Sequence, residues 1–411
     1  MEKIVITGMG TVNPLGLNTA ETWKNVINGV SGVAPITRFD ASGWMAQIAC
    51  EVRDFDPTAY MSAKEARRRD RFEQFATVAA QEAIQSSGLE ITPENAGRIG
   101  ILVSSAMGGL KSLQDAIYTL KDYGARRVSP FLIPMLMPNG AAGLIGIDNG
   151  IKGPAMSVAS ACASGIDGIG LAWLMLRTGM VDAALAGASE STLTETGIGA
   201  FDRIGALARR IDDYEMTPAP FDKNRDGLVM GEGAAVLMLE RESHAKARGA
   251  QILAELAGYA ATADAYHVTA PSSDGAGGGQ AISNALASAG VHPTEVDYIN
   301  AHGTATPLND VTETKAIKRA LGDAAYEVPI SSTKSMTGHM MGATGALETI
   351  FCVQAIQNGI LPPTIHYQTP DPECDLDYVP NQAREKKVEV AVNNAFGFGG
   401  HNSVLVVRKY S

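Results

Sequence analysis

Apolar and polar positions alternate between two periods along this chain. Ile4-Val5-Ile6 closed by Thr7-Gly8 predicts a strand over 3–7. Apolar residues then return at helical spacing near 19–29 and through a long stretch at 63–87. A strand is expected at about 98–104, helical stretches near 109–121 and 139–148, a strand near 155–159, a helix from about 162 to 178 and a strand near 182–187. The run Ala-Ala-Val-Leu-Met-Leu-Glu at 234–240 is apolar without alternation, the pattern of a strand buried on both faces. The second half repeats the alternation, with strands near 252–259, 296–300, 328–331, 388–394 and 403–408 and helices near 277–289, 310–321 and 342–358. This order predicts an α/β protein with a helix-covered, largely parallel sheet. The repetition lies in element order, not in residues. A boundary near 250 divides the chain into 1–250 and 251–411, and no Pro/Ser linker separates the halves.

Composition fits a soluble globular chain, with 411 residues, 45% hydrophobic and 19% charged. The formal charge of -11 argues against a general nucleic-acid binder, so an anionic partner needs a local basic patch. One candidate is Lys64-Glu65-Ala66-Arg67-Arg68-Arg69-Asp70-Arg71, joined by Arg126 and Arg127; such a run is either a solvated helix face or a docking surface. No basic segment leads into an apolar one at the N-terminus, and no apolar stretch is long enough to span a bilayer, which makes the cytoplasm the expected compartment. The four cysteines form no CxxC pair.

Candidate chemistry sits where strands end. In Val158-Ala159-Ser160-Ala161-Cys162-Ala163-Ser164-Gly165 a β-type run meets a helix at a cysteine. A thiol at a helix N-terminus is expected to have a lowered pKa, and its small neighbours to leave the sulfur accessible; a buried structural cysteine is the alternative. Asn300-Ala301-His302-Gly303-Thr304-Ala305-Thr306-Pro307 follows the strand Val296-Asp297-Tyr298-Ile299. Ser331-Ser332-Thr333-Lys334-Ser335-Met336-Thr337-Gly338-His339 leads into a small-residue helix whose lone acid, Glu348, is expected to pair with Lys334. In Asn394-Ala395-Phe396-Gly397-Phe398-Gly399-Gly400-His401-Asn402, glycines permit close backbone approach and aromatics can wall a cavity; a plain hairpin turn is the simpler reading. One Cys with distant His residues also fits a cysteine hydrolase. Zinc lacks a short-spaced ligand pair. A dinucleotide reading of Gly8-Met9-Gly10 lacks its third glycine, because Asn13 stands there.

The segments SACASG, NAHGTATPLND, STKSMTGHMMGATGALE and NAFGFGGHN, in this order and spread over the chain, resemble the elongating β-ketoacyl-acyl-carrier-protein synthases. The resemblance implies a thiolase-like fold, two similar α/β halves in five α-β-α-β-α layers, and an acyltransferase of fatty-acid elongation working as a homodimer. It implies that Cys162 is the acyl-accepting nucleophile, with the backbone N–H groups of Cys162 and Phe398 as oxyanion hole. His302 and His339 then stabilise the enolate formed as malonyl-carrier protein loses carbon dioxide. Lys334 and Glu348 match the supporting pair, and Asp310 a site-organising acid. Thr304, Thr306, Phe201 and Phe396 match substrate contacts, and Met107 a residue beside the acyl tail. Lys64, Arg67, Arg68, Arg126 and Arg127 are candidates for docking the acidic carrier protein. Gly205 stands where some relatives place a basic carrier contact, with Arg203 close by. No metal or resident cofactor is implied, since phosphopantetheine arrives attached to the carrier. A polyketide ketosynthase shares this chemistry, but its cysteine motif more often reads Thr-Ala-Cys-Ser-Ser. A non-catalytic chain-length-factor partner lacks the cysteine that this chain has.

Overall fold

The computed structural model describes residues 2–411. Ten strands form its main sheet: β1 (Ile4–Val12), β2 (Ile99–Ser104), β3 (Ala155–Met156), β4 (Ala183–Glu190), β5 (Gly233–Arg241), β6 (Ala254–Ala263), β7 (Tyr298–Asn300), β8 (Ile330–Ser331), β9 (Val390–Gly397) and β10 (His401–Arg408). Their spatial order is β8-β7-β9-β10-β6-β1-β5-β4-β2-β3. Parted between β6 and β1, the two groups of five have one topology. Read from its outer edge, each group runs third, second, fourth, fifth, first in chain order. The pairings also repeat as parallel, parallel, antiparallel, antiparallel. A short antiparallel contact of Val5 and Ile6 with Glu255 and Ala254 joins the two first strands.

The sheet is therefore mixed, where element alternation predicted a largely parallel one. Part of the reason is local: β9 turns through three residues into β10, and so short a link joins only antiparallel neighbours.

Six helices complete the layers: α1 (Arg71–Ser87), α2 (Gly140–Asn149), α3 (Ser164–Arg177), α4 (Ala276–Ala289), α5 (Pro307–Leu321) and α6 (Thr344–Asn358). Alternate strand residues face different cores, as a period of two requires. On β5, Val236 and Met238 pack with Phe72 and Phe75 of α1 and Ile145 of α2, whereas Leu237 and Leu239 join Ile166 of α3 and Leu347 of α6. On β10, Val404 and Val406 meet Ile282 of α4 and Ile317 of α5, whereas Leu405 and Val407 face the α3–α6 core. Helices α3 and α6 thus lie between two sheet halves, which explains why they are apolar nearly all round. The result is the five-layer, thiolase-like arrangement.

Local chemistry sets two boundaries that periodicity missed. The helix expected over 63–87 is broken: Ala63–Ala66 ends, Asp70 is extended, and its carboxylate caps α1 in a reciprocal box with Glu73. Gly8 and Gly10 lie inside β1, where a Cβ would meet the carbonyl oxygens of Ala83 and Ala79 of α1 at 2.2 and 2.1 Å. They serve strand–helix packing rather than a phosphate-binding turn.

Candidate active site

The chain reaches Cys162 between β3 and α3 through a bend at Ala161, whose φ is +51°. A left-handed conformation costs a non-glycine residue on the order of 1–2 kcal/mol. Hydrogen bonds hold it. Ser164 Oγ donates to Ala161 O at 2.6 Å and accepts from Ser160 N at 2.9 Å. Ser160 Oγ donates to Asp167, which also accepts from Tyr259 of β6 at 2.8 Å and from Ser403 of β10. The cysteine bend is thereby tied to the second half of the molecule. Gly397 backs it so closely that a Cβ would meet Cys162 N and Ser160 O, each at 3.1 Å.

Two sequence expectations for Cys162 are corrected. The sulfur is not openly accessible: the residue is 8% exposed. Nor is its pKa lowered. Burial pushes the thiol up to about 11, with Glu190 adding to the rise, against the opposing effects of the Lys334 charge and the N–H groups of Phe398 and Cys162. Helix α3 begins at Ser164, so the sulfur stands before the first turn, where the dipole fades, while desolvation acts on the thiolate in full.

His302 follows β7, and His339 follows the short helix Lys334–Thr337. Glu313 of α5 holds the first loop, accepting from His302 N at 2.8 Å and Gly303 N at 2.7 Å. His339 N donates to Val229 O at 2.7 Å, and its Nδ1 lies 3.0 Å from Thr344 Oγ1. Burial, reinforced by the Lys334 charge, holds both imidazoles well below their usual range. Both rings are neutral at neutral pH. Lys334 itself is paired with Glu348 at 2.6 Å, each side chain 1% exposed. Burial raises the Glu348 carboxyl to about 7 even against Lys334.

Thr304 and Thr306 place their hydroxyls 2.9 Å apart, on either side of Ala305 at φ +66°. Buried Asp310, in the first turn of α5, accepts from Ala305 N at 3.2 Å and Phe221 N at 2.7 Å.

These groups meet around one cavity of about 350 Å³. Its walls include Cys162, His302, His339, Thr304 and Thr306, together with Phe201, Phe396 and Phe398. Phe398, in the β9–β10 turn, stacks on Phe201 with centroids 6.0 Å apart, and Phe396 lies 6.0 Å from the His302 ring. The hairpin and cavity readings of this glycine-rich segment are both correct. Met107 is not on this cavity; it is 38% exposed, with its N–H 3.3 Å from Glu190 Oε1.

Sequence reasoning missed several members. Asp264, Asn309, Asn402 and Thr269–Pro271 also line the cavity. Asp264 accepts from Asn402 at 2.7 Å and Ser272 N at 3.0 Å, and its N–H donates to Gly400 O at 2.9 Å. Its position just past β6 was the available signal, because polar residues at strand ends build such edges. Glu313 shares a helix face with Asp310 one turn earlier, which also could have marked it. Glu190, buried at the end of β4, accepts from Ser105, Ala106 N, Met107 N and Gly342 N; its place at a strand end was the same signal, but its partners lie far away in sequence. Among the described residues no His, Cys, Asp and Glu side chains are grouped as a metal site.

The basic run divides in two. Arg69 is buried against Asp148 at 2.6 Å, and Arg71 pairs with Glu232 at 2.8 Å, so both are structural. Lys64, Arg67, Arg68, Arg126 and Arg127 are exposed, and Arg68 lies 4.3 Å from the centroid of the Phe131 ring.

Comparison with known proteins agrees with this geometry. Residues 1–245 match the model of the beta-ketoacyl synthase N-terminal domain, and residues 253–368 that of the C-terminal domain. The chain is 48% identical over 409 residues to a 3-oxoacyl-[acyl-carrier-protein] synthase 2 of Synechocystis sp., covering 100% of this chain and 98% of the relative. It is 46% identical to the protein of that name from Staphylococcus aureus, covering 100% and 99%. Among solved structures it superimposes with a TM-score of 0.92 and 35% identity on a chain from a type II PKS acyl-carrier protein in complex with its ketosynthase bound to the hexaketide, covering 100% of both chains. A beta-ketoacyl synthase from Burkholderia phymatum matches with a TM-score of 0.91 and 34% identity, also over 100% of both. The cysteine bend, the paired histidines and the glycine-rich turn around one cavity thus come with full-length likeness in sequence and structure, and the chain belongs to the β-ketoacyl synthase family.

Proposed function

We propose that this chain is an elongating β-ketoacyl-acyl-carrier-protein synthase, condensing malonyl-carrier protein with an acyl group held on Cys162. The observation that carries this reading is the placement of one buried thiol and two buried, neutral imidazoles on the wall of a single cavity. In the first step Cys162 Sγ attacks the acyl thioester of the carrier's phosphopantetheine. The N–H groups of Cys162 and Phe398 receive the oxyanion, and the pantetheine thiol leaves with the proton that the cysteine gives up. Malonyl-carrier protein then enters. As its carboxylate departs as carbon dioxide, the bonding electrons pass onto the thioester oxygen. His302 and His339 donate to that oxygen through Nε2–H, with the Thr344 hydroxyl donating to Nδ1 of His339. The enolate carbon attacks the acyl group, the Cys162 thiolate leaves, and the β-ketoacyl product stays on the carrier. Neutral donors suit charge that develops at one oxygen in a water-poor site. Burial keeps both rings unprotonated, and the Lys334 charge reinforces it.

Carrier docking falls on this reading to Lys64, Arg67, Arg68, Arg126 and Arg127, which among the described residues form no ion pair. Thr304 and Thr306 contact the pantetheine arm. Met107, which does not wall the cavity, adjoins the acyl tail on this reading only where a bound chain extends beyond that cavity; its loop is bound to Glu190, whose charge is felt at the Cys162 sulfur. A homodimer is supported by the open edge strand β3, by Met156 on it and by Ile147 on the adjoining helix α2, both at least 43% exposed. The cytoplasm suits four free thiols, one of them catalytic. No helix among the described residues is long and apolar enough to cross a membrane. The higher identity to 3-oxoacyl synthases than to the polyketide neighbour favours fatty-acid elongation over a polyketide pathway.

The test is intact-mass spectrometry with a ladder of acyl-carrier substrates. An acyl-enzyme on Cys162 should persist until malonyl-carrier protein is added, then discharge into a product two carbons longer. Discharge by water alone would replace this reading with a cysteine hydrolase.

A further inference from the structure

The Thr304–Pro307 loop is held from behind by a segment to which no role is assigned, Phe221–Gly227. Ala305 is fully buried in a left-handed conformation at φ +66°, which its methyl group disfavours. That turn brings the hydroxyls of Thr304 and Thr306 to 2.9 Å, although residues two apart in extended chain stand well separated. Both polar groups of Ala305 are taken: its N–H by Asp310 at 3.2 Å, and its carbonyl by Gly227 N at 3.1 Å.

Arg225 completes the bracket. Its side chain is 5% exposed. Nε donates to Thr306 O at 3.4 Å and one terminal nitrogen to Pro307 O at 3.1 Å. The other donates to Asp222 O at 2.7 Å and to Asp371 Oδ2 at 2.6 Å. Nε also stands 3.8 Å from Asp310, the acid that holds Ala305. One planar guanidinium thus joins the loop to two other segments. Lysine offers no such fork, because its ammonium is a single point of donation.

We propose that Arg225 is a positioning residue that keeps Ala305 in its left-handed turn, so that Thr304 and Thr306 present one paired hydroxyl site to the pantetheine arm of both substrates. This rests on the ketosynthase reading above. Arg225 touches no reacting atom, so its loss weakens capture of the arm and spares the chemistry at Cys162.

The experiment compares Arg225→Lys, alone and combined with Ala305→Gly, using acyl- and malonyl-pantetheine thioesters. Arg225→Lys should raise KM for both about tenfold, with kcat within about twofold. Iodoacetamide should alkylate Cys162 at the wild-type rate. Glycine adopts positive φ unaided, so Ala305→Gly in the Lys background should return KM to within about threefold of wild type. A merely structural arginine gives no such rescue. An unchanged KM in folded Arg225→Lys, or failure of Ala305→Gly to restore it, overturns the proposal. Should Arg225→Lys not fold, Asp371→Asn removes the partner outside the loop and should raise the same KM about two- to threefold; no rise would be equally decisive. Wild-type protein that fails to condense these thioesters would instead overturn the ketosynthase reading itself.

Discussion

The imidazoles of His302 and His339 stand nearly perpendicular, their planes at 83° and their centroids 5.3 Å apart, on a cavity wall shared with Cys162. Two donors from different loops thereby converge on one small volume. Burial and the Lys334 charge keep both neutral, so neither repels the other and each retains one N–H to give.

This division of labour separates two half-reactions. Loss of one such donor costs about 3–4 kcal/mol of transition-state stabilisation. In His339→Ala, malonyl decarboxylation should fall about 100- to 1000-fold. Acylation of Cys162, whose oxyanion the proposed mechanism assigns to backbone N–H groups, should fall less than about tenfold. Single-turnover rates for the two steps measure this, and equal losses would refute it.

The raised thiol of Cys162 fixes the sign of a pH dependence. Below its value of about 11 the sulfur is mostly protonated, and the thiolate fraction grows about tenfold per pH unit. Alkylation of Cys162 by iodoacetamide, followed by peptide mass, should therefore keep rising from pH 7 to pH 9. A plateau below pH 8 would mean a thiolate already formed in the free site.

Lys334 and Glu348 form a pair sealed from water, and removing one partner strands the other. Lys334→Ala should lose about 3–5 kcal/mol of stability. The double variant Lys334→Met/Glu348→Leu, which strands no charge, should unfold at higher denaturant than Lys334→Ala. Equal or lower stability of the double variant would show that the pair stabilises the fold outright.

Exposed charges act mainly on encounter and are screened by salt. Arg67→Glu with Arg68→Glu should raise KM for acyl-carrier protein by at least about tenfold at low salt, with KM for a pantetheine thioester within about twofold. An unchanged carrier-protein KM would return these arginines to a solvated helix face.

Much of the molecule was legible because local rules write it. The apolar run at 234–240 could only be a strand buried on both faces, and β5 indeed gives Val236 and Met238 to one core and Leu237 and Leu239 to another. The four polar segments each follow a strand or open a helix, where a helix-covered sheet exposes side chains, but it was their resemblance to a known family, in one order along the chain, that singled them out. Even the break at Asp70 was present as a capping box, although periodicity overrode it.

What the sequence by itself determined was thus the elements and the chemical types at their ends: a thiol, two imidazoles, a Lys–Glu pair and a glycine-rich turn. Only tertiary structure decided their state. The pKa of Cys162 illustrates the difference. A helix dipole belongs to neighbours in sequence and predicts a lowered value, but desolvation depends on everything that closes over the sulfur, and it wins. The same holds for Glu313, Asp264 and Arg225, whose partners are fixed by how segments meet rather than by what stands beside them in the chain. The mixed strand order draws on both: the three-residue link from β9 to β10 dictates their antiparallel pairing, whereas the places of strands far apart in the chain are set by long-range contacts that no local pattern contains.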